Sequence, residues 1–506
     1  MILTKAFSTY ASNTKFLILT IISCLLLNNT FAQTIEWQKS LGGTLEDRAR
    51  SITKTFDGGY IIAGTSSSSN GDVSENFGSS DIWIIKLSNT GDIEWEKTYG
   101  GSNTEQATSI RQTSDTGYIV SGYTNSSDGD ISASNVQADF WVLKLSNTGN
   151  IEWEKTYGGT ALDLAEFIEQ TNDGGYIVTG QTGGDVDGFN GVIDFWVLKL
   201  SNVGDIEWER VLGGSGVDLP KDIRQTNDNG YIVAGASDTV NGFHDFWVLK
   251  LASDGSTQWE KRYGGTAVDF PQHIELTSDG GYIIVGSSNS NDGDVSGNNG
   301  NTDIWVLKIT SSGIIEWEKS IGGSNVDQAN SVKQTLDGGY ILAGSSASND
   351  GNASSNMGSF DYWLVKLSQI GDIEWEKSFG GSNLDSTSSI EQISNSEYIV
   401  VGNSTSSDGD VNLNQGNYDV WVLKISTVLD LADIANHKDI YLYPNPTNGI
   451  ITIESNIKIE SVRIFDSLGK LVISKGNNEI IDISGLNSGI YFIKINKFKT
   501  YKIIKI

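Results

Sequence analysis

Along most of this chain, apolar and polar positions follow one order that keeps returning. A nearly continuous apolar run, Phe140-Trp141-Val142-Leu143-Lys144-Leu145, is followed after a polar turn by the mixed stretch Ile151-Glu152-Trp153-Glu154-Lys155. The first pattern suits a strand covered on both faces, the second a strand with one face in water. Two more strands come before them. In this second repeat, strand A is read as Ala107 to Thr113, B as Gly117 to Tyr123, C as Asp139 to Leu145 and D as Ile151 to Thr156. The turns Ser114-Asp115-Thr116-Gly117 and Ser146-Asn147-Thr148-Gly149-Asn150 carry the Gly, Asn and Asp that tight hairpins require.

The period is fixed by tryptophan. The C-strand tryptophan recurs at Trp83, Trp141, Trp196, Trp247, Trp305, Trp363 and Trp421, and the D-strand one at Trp37, Trp95, Trp153, Trp208, Trp259, Trp317 and Trp375. Together these are all 14 tryptophans of the chain. A tyrosine opens strand B at Tyr60, Tyr118, Tyr176, Tyr231, Tyr282, Tyr340 and Tyr398, always 23 residues after a D-strand tryptophan. The C-to-D tryptophan spacing is always 12, so length varies only between strands B and C, where the interval shortens to 20 and 16 in the third and fourth repeats. Change confined to one connection marks a surface loop.

Four antiparallel strands per repeat, seven times over, describe an all-β, seven-bladed β-propeller. The repeat opens with a lone D strand (Thr34 to Ser40) and stops after a C strand (Tyr418 to Ile425). Pairing these two would close the ring and remove two exposed edges. The Thr-Gly turn before a docking tryptophan, here Thr90, Gly91 and Trp95, resembles the blade pattern of quinoprotein-type propellers. That resemblance implies tryptophans packed between blades, and it carries over no cofactor.

Charge narrows the partners. Residues 33–437 hold 57 acidic and 22 basic side chains, whereas 438–506 hold 6 and 10. So acidic a propeller repels nucleic-acid phosphates and anionic membranes, which argues against nucleic acid and leaves glycans, proteins and divalent cations as ligands. The first 32 residues read as a secretory signal: Lys5 and Lys15, an apolar core from Phe16 to Leu27, and Thr30-Phe31-Ala32 before the cut. That core is too short for a permanent span, so no transmembrane segment is expected in the mature protein. The single cysteine, Cys24, lies within it. Ile21-Ile22-Ser23-Cys24 has some likeness to a lipoprotein signal, but three leucines follow the cysteine, and cleavage after Ala32 leaves no thiol.

The domains are therefore read as signal peptide 1–32, propeller 33–426, linker 427–438 and a small immunoglobulin-like β-sandwich, 439–506. The last of these opens with Tyr443-Pro444-Asn445-Pro446 and Gly449, continues through Val462-Arg463-Ile464-Phe465-Asp466, Gly469-Lys470 and Ile483-Ser484-Gly485-Leu486, and ends with Gly489-Ile490-Tyr491-Phe492 and Lys502-Ile503-Ile504-Lys505. In that order these motifs resemble the type A C-terminal sorting domain of proteins exported by the type IX secretion system of the Bacteroidota. The resemblance implies that Pro444, Asn445, Pro446, Gly449, Gly489, Tyr491, Lys502 and Lys505 act as a sorting signal. It also implies the type IX machinery as partner, passage through the periplasm and outer membrane, and removal of the tail.

Two acidic motifs are candidate sites. The D–A connections repeat Gly-Gly-(Ser/Thr)-x-x-(Asp/Glu), giving Asp47, Glu105, Asp163, Asp218, Asp269, Asp327 and Asp385. With strand A innermost, these acids are expected around the channel mouth, as a binding ring or as caps of their own loops. The B–C loops carry Asp-Gly-Asp as Asp128 and Asp130, Asp292 and Asp294, and Asp408 and Asp410. Carboxylates two apart can share calcium, the one cofactor considered, although none has EF-hand spacing and a solvated turn is the alternative. Lys86 and its six equivalents follow the C-strand tryptophan by three, and Leu87–Ile93 pairing would set Lys86 against Glu94 as an interblade ion pair.

Signals of catalysis are thin. No two of His244, His273 and His437 have metal-ligand spacing, and neither a nucleophile elbow nor a phosphate loop stands out. The reading is a secreted or cell-surface binding module acting through its D–A and B–C face on a glycan or protein, with a polysaccharide-active enzyme or a ligand-free structural protein as rivals.

Overall fold

The computed structural model describes residues 31–132, 134, 137–238, 243–429, 440–443, 445–455, 459, 461–466, 470–476, 480–495 and 500–506. The signal segment up to residue 30, most of the linker, Pro444 and Gly469 lie outside these. Every described element is a strand. Residues Gln33–Thr427 form one compact unit, and the strands from Ile440 onward belong to another.

The first unit is a seven-bladed propeller. Blade one pairs Asp47–Lys54, Tyr60–Ser66, Asp81–Leu87 and Ile93–Tyr99 in that order. Blade two does the same with Glu105–Gln112, Tyr118–Thr124, Asp139–Leu145 and Ile151–Tyr157. Blades three to six repeat the arrangement, and blade seven joins Asp385–Ser394, Glu397–Ser404 and Asp419–Leu429 to the first strand, Phe31–Leu41. The ring closes as its pattern predicts. Across that seam Trp421 Nε1 donates to Gln38 Oε1 at 3.0 Å, and Lys424 Nζ lies 2.9 Å from Glu36.

The core lies between blades. One cluster joins Ile61, Ile82 and Ile84 of blade one to Ile110, Tyr118, Val120 and Trp141 of blade two, and similar clusters recur around the ring. Burying each aliphatic side chain is worth ~1.5–3 kcal/mol. All seven C-strand tryptophans are 0–4% exposed. In most blades the indole N–H is satisfied by the acid after the D-strand tryptophan, as in Trp83 to Glu96 at 2.8 Å. The D-strand tryptophans are half-buried and tilt against the next blade's tyrosine, Trp95 against Tyr118 with ring centroids 6.0 Å apart.

One glycine position sets the blade's thickness. Strand A bulges between Ala107 and Ser109, and Gly122 of strand B faces that bulge. A Cβ at Gly122 would sit 2.0 Å from the Gln106 carbonyl, so only glycine lets the two strands approach there.

In the second unit, Ile440–Tyr443, Ile450–Ser455 and Ile480–Asp482 form one sheet, and Leu471–Lys475, Val462–Asp466, Gly489–Ile495 and Thr500–Lys505 another. Both contribute to a single apolar core that includes Ile451, Ile464, Ile481, Ile493 and Ile503.

Candidate functional site

Strand direction places the D–A and B–C loops on one face and the A–B and C–D turns on the other. On the loop face, Asp47, Glu105, Asp163, Asp218, Asp269, Asp327 and Asp385 each begin a strand A and are 0–2% exposed. Each accepts the N–H of the second glycine of its own Gly-Gly turn, at 2.6–3.0 Å. In five of the seven, hydroxyls from strand B or just beyond it add further bonds: Ser66 and Ser68 on Asp47, Thr124 on Glu105, Ser288 and Ser290 on Asp269, Ser346 and Ser348 on Asp327, and Ser404 and Ser406 on Asp385. The structure thus gives these seven acids as separate buried caps, one per blade.

The Asp-Gly-Asp loops fold back onto the same turns. Asp128 Oδ1 accepts from Ser102 N at 2.8 Å, and Asp130 Oδ2 from Gly100 N at 3.1 Å. Asp292 and Asp294 hold Thr266 and Gly264 in the same way, and Asp408 and Asp410 hold Ser382 and Gly380. The glycine between them is required: Gly129 has φ +68°, and a Cβ there would lie 2.3 Å from Gly100 O. Among the described residues, no group of three or more His, Cys, Asp or Glu is arranged to hold a metal ion.

A third set of acids on this face was not singled out from sequence. Asp81, at the start of strand C, accepts from Phe77 N through Oδ2. Its Oδ1, buried without a hydrogen bond, points to Gly100 beside Glu105. Burial, together with the nearby charges of Glu105 and Asp130, raises its pKa to about 6 against the pull of the Phe77 N–H. Asp303, Asp361 and Asp419 occupy equivalent positions and are likewise raised to about 6, burial being the first cause.

The channel holds a feature that a search for constant residues misses. One A-strand position reads Thr53, Arg111, Glu169, Arg224, Glu275, Lys333 and Glu391 around the ring, so charge alternates from blade two to blade seven. Arg224 lies 3.5 Å from Glu169 and 3.2 Å from Asp222, and Lys333 lies 3.5 Å from Glu275 and 3.3 Å from Glu391. Phe167 packs against both Arg111 and Arg224. Burial lowers the pKa of His273, and the Arg224 guanidinium 2.8 Å from its Nε2 adds to the effect. Aligning that single column would have exposed the alternation.

The turn face carries open cavities. One, of about 370 Å³, lies at the junction of blades one and two, lined by Phe56, Asp57, Lys86, Glu94 and Trp95 of the first and by Gln112, Tyr118, Asn147 and Thr148 of the second. A second, of about 410 Å³, lies at the equivalent junction of blades four and five and uses Asp228, Lys250, Gln258, Trp259, Tyr282 and Ser311. Lys86 sits beneath the first, its Nζ 3.0 Å from Asp57 and 2.9 Å from Glu94. The Leu87–Ile93 pairing expected from sequence is present. Because both carboxylates belong to blade one, however, the ion pair lies within a blade, which corrects the interblade placement.

In the tail, the Asn445 side chain donates to Lys502 O at 2.8 Å and accepts from Ile504 N at 2.9 Å, tying the opening motif to the last strand. Pro446 is exposed, and Gly449 lies so close to Ser484 that a Cβ would be 2.9 Å from the serine Cβ. Gly489 and Tyr491 share a strand, the tyrosine hydroxyl donating to Asn487 O at 2.9 Å. Lys502 is exposed and Lys505 reaches Ile506 O at 2.9 Å, both on the final strand. Residues 441–506 match the family model described as a secretion system C-terminal sorting domain. The chain ends in a type IX sorting domain. It is cargo for that system, exported to the cell surface or the extracellular space.

No curated protein matches the chain. Among solved structures, Sqt1 from Chaetomium thermophilum is 10% identical, with 79% of this chain and 100% of that one covered at a TM-score of 0.41. The Pan2 WD40 domain of Neurospora crassa is 9% identical, with 76% and 95% covered at 0.42. The PQQ-bound aldose sugar dehydrogenase of Streptomyces coelicolor is 10% identical, with 79% and 99% covered at 0.35. Likenesses this weak assign no activity, and the blade count rests on the strand pairing itself. Among the described residues, no helix is long and apolar enough to cross a membrane.

Proposed function

We propose that this cargo is a binding module whose propeller meets a glycan or a protein outside the cell, after a Sec-dependent step and outer-membrane translocation that remove first the signal and then the tail. One observation carries the reading: equivalent junctions of the ring open cavities walled by a half-buried tryptophan, a tyrosine and a polar rim. Aromatic surface left partly bare beside fixed polar groups is the usual make-up of a ligand site. The turn face therefore becomes the contact surface, because the strand-A acids and the Asp-Gly-Asp acids of the loop face are engaged by backbone N–H groups of their own blade.

The test is a set of melting curves of the protein with calcium, with chelator, and over panels of oligosaccharides and extracellular proteins. A ligand at 100 times its Kd adds about 2.7 kcal/mol to stability, enough to move the midpoint. No shift with any member of either panel would overturn the reading. A shift with calcium that chelator reverses would add a cation to it.

A further inference from the structure

We propose that the junction cavities are carbohydrate subsites taking uncharged pyranose rings, an assignment that rests on the binding-module reading and names the ligand class. In the cavity between blades one and two, the part of the half-buried Trp95 indole that Gly149 leaves uncovered offers apolar surface to the C–H face of a sugar, with Tyr118 buried behind it. Hydroxyl partners are fixed in advance. Glu94 commits only Oε2 to Lys86, so Oε1 is available as an acceptor. The side chains of Asn147 and Thr148 stand exposed on the facing turn. Lys86 is held by two carboxylates and keeps them in place without itself reaching solvent.

Charge selects against the alternatives. In the first cavity two carboxylates on one ammonium leave the rim slightly negative, so sulfated, phosphorylated or uronic sugars are repelled there. In the second, Asp228 and Lys250 cancel and leave no net charge to hold an ionic sugar. A free cation would compete with Lys86 for the same oxygens. A neutral polyol loses nothing to either effect. Both cavities fall within the ~300–1,000 Å³ of small-molecule sites. They sit on one face of one rigid ring, so a polysaccharide spanning both gains avidity from weak single contacts. The two are not identical: Gln258 and Leu276 of the second replace Glu94 and Gln112 of the first, so only the first carries a second carboxylate.

Isothermal titration with cellohexaose, xylohexaose and mannohexaose tests this on the full protein. At least one should bind, and Asn147→Phe together with Ser311→Phe, both on exposed turns, should weaken it at least ~10-fold, or 1.4 kcal/mol, with an unchanged melting midpoint. If no hexasaccharide binds while an extracellular protein still shifts the midpoint, the carbohydrate assignment fails and the binding-module reading stands. If a hexasaccharide binds equally well to the double variant, the cavities are not its site and the inference is overturned. If neither sugars nor proteins bind, both fall.

Discussion

The two faces of the propeller are made from connections of the same repeat, yet they use their carboxylates in opposite ways. On the loop face, Asp327 is fully buried and surrounded by Gly323 N–H and the hydroxyls of Ser346 and Ser348. On the turn face, Asp57 and Glu94 are 58% and 46% exposed and share one buried lysine. Around Asp327 both carboxylate oxygens are engaged in holding a loop. The turn-face arrangement orients its acceptors and leaves part of their capacity facing solvent. A repeated acid is therefore no guide to a site until its remaining hydrogen-bonding capacity is known. The largest effect expected follows directly: Asp327→Ala strands one amide and two hydroxyls in a dry pocket and should cost about 3 kcal/mol in urea unfolding. A cost below 1 kcal/mol would mean that the loop-face acids are not structural caps, and the contrast between faces would collapse.

The next effect sharpens the same contrast through backbone. Gly129→Ala forces a side chain into φ +68° and against Gly100 O. The strain should cost about 2 kcal/mol by melting, with the damage confined to blade two. On the other face, Lys86→Met removes both ion pairs but leaves Asp57 and Glu94 free to hydrate, so about 1 kcal/mol is expected. Blade four supplies an internal control. There Gln258 stands where Glu94 does, and Lys250 pairs with Asp228 alone, so Lys250→Met should cost less than Lys86→Met. The reverse order would show that Glu94 contributes nothing to holding the lysine.

How far the sequence carried the fold depends on what stays constant between repeats. The fixed tryptophan and tyrosine spacings gave blade number, strand order and ring closure, because each constant residue packs against the next blade in the same way. The Lys86–Glu94 pairing followed from hairpin register alone. Asp57 did not, since the A–B turn returns it to Lys86 from 29 positions earlier. The charged channel ring escaped notice for the opposite reason. Arg111, Glu169, Arg224 and Glu275 share a position but alternate in sign, and a search for sameness passes over a column whose rule is difference. The cavities were illegible because Trp95 and Asn147 belong to different blades and meet only when the ring is built.

The smallest effect concerns protons on the loop face. Asp81, Asp245, Asp303, Asp361 and Asp419 have pKa values raised to about 6 from 3.8, burial being the main cause. The folded state therefore holds these protons more tightly than the unfolded chain does. Each carboxylate begins to cost stability as the pH rises past about 4, and costs most above 6. On the turn face the sign is reversed. Burial of Asp228 and Asp279 is outweighed by the Thr226 and Thr277 hydroxyls and by Lys250 and Lys308, which bring them to about 2. Their contribution is intact above about 4 and is lost as the pH falls towards 2. The melting midpoint should thus rise from pH 7.5 to about 5 and fall below 4. Asp81→Asn separates the two faces. The amide keeps an acceptor for Phe77 N and gains a donor towards Glu105, so at pH 7.5 the variant should melt slightly higher than the parent and rise less on acidification. If its pH profile is superimposable on the parent's, Asp81 does not carry its share of the titration, and the loop-face acids contribute to folding without regard to their charge.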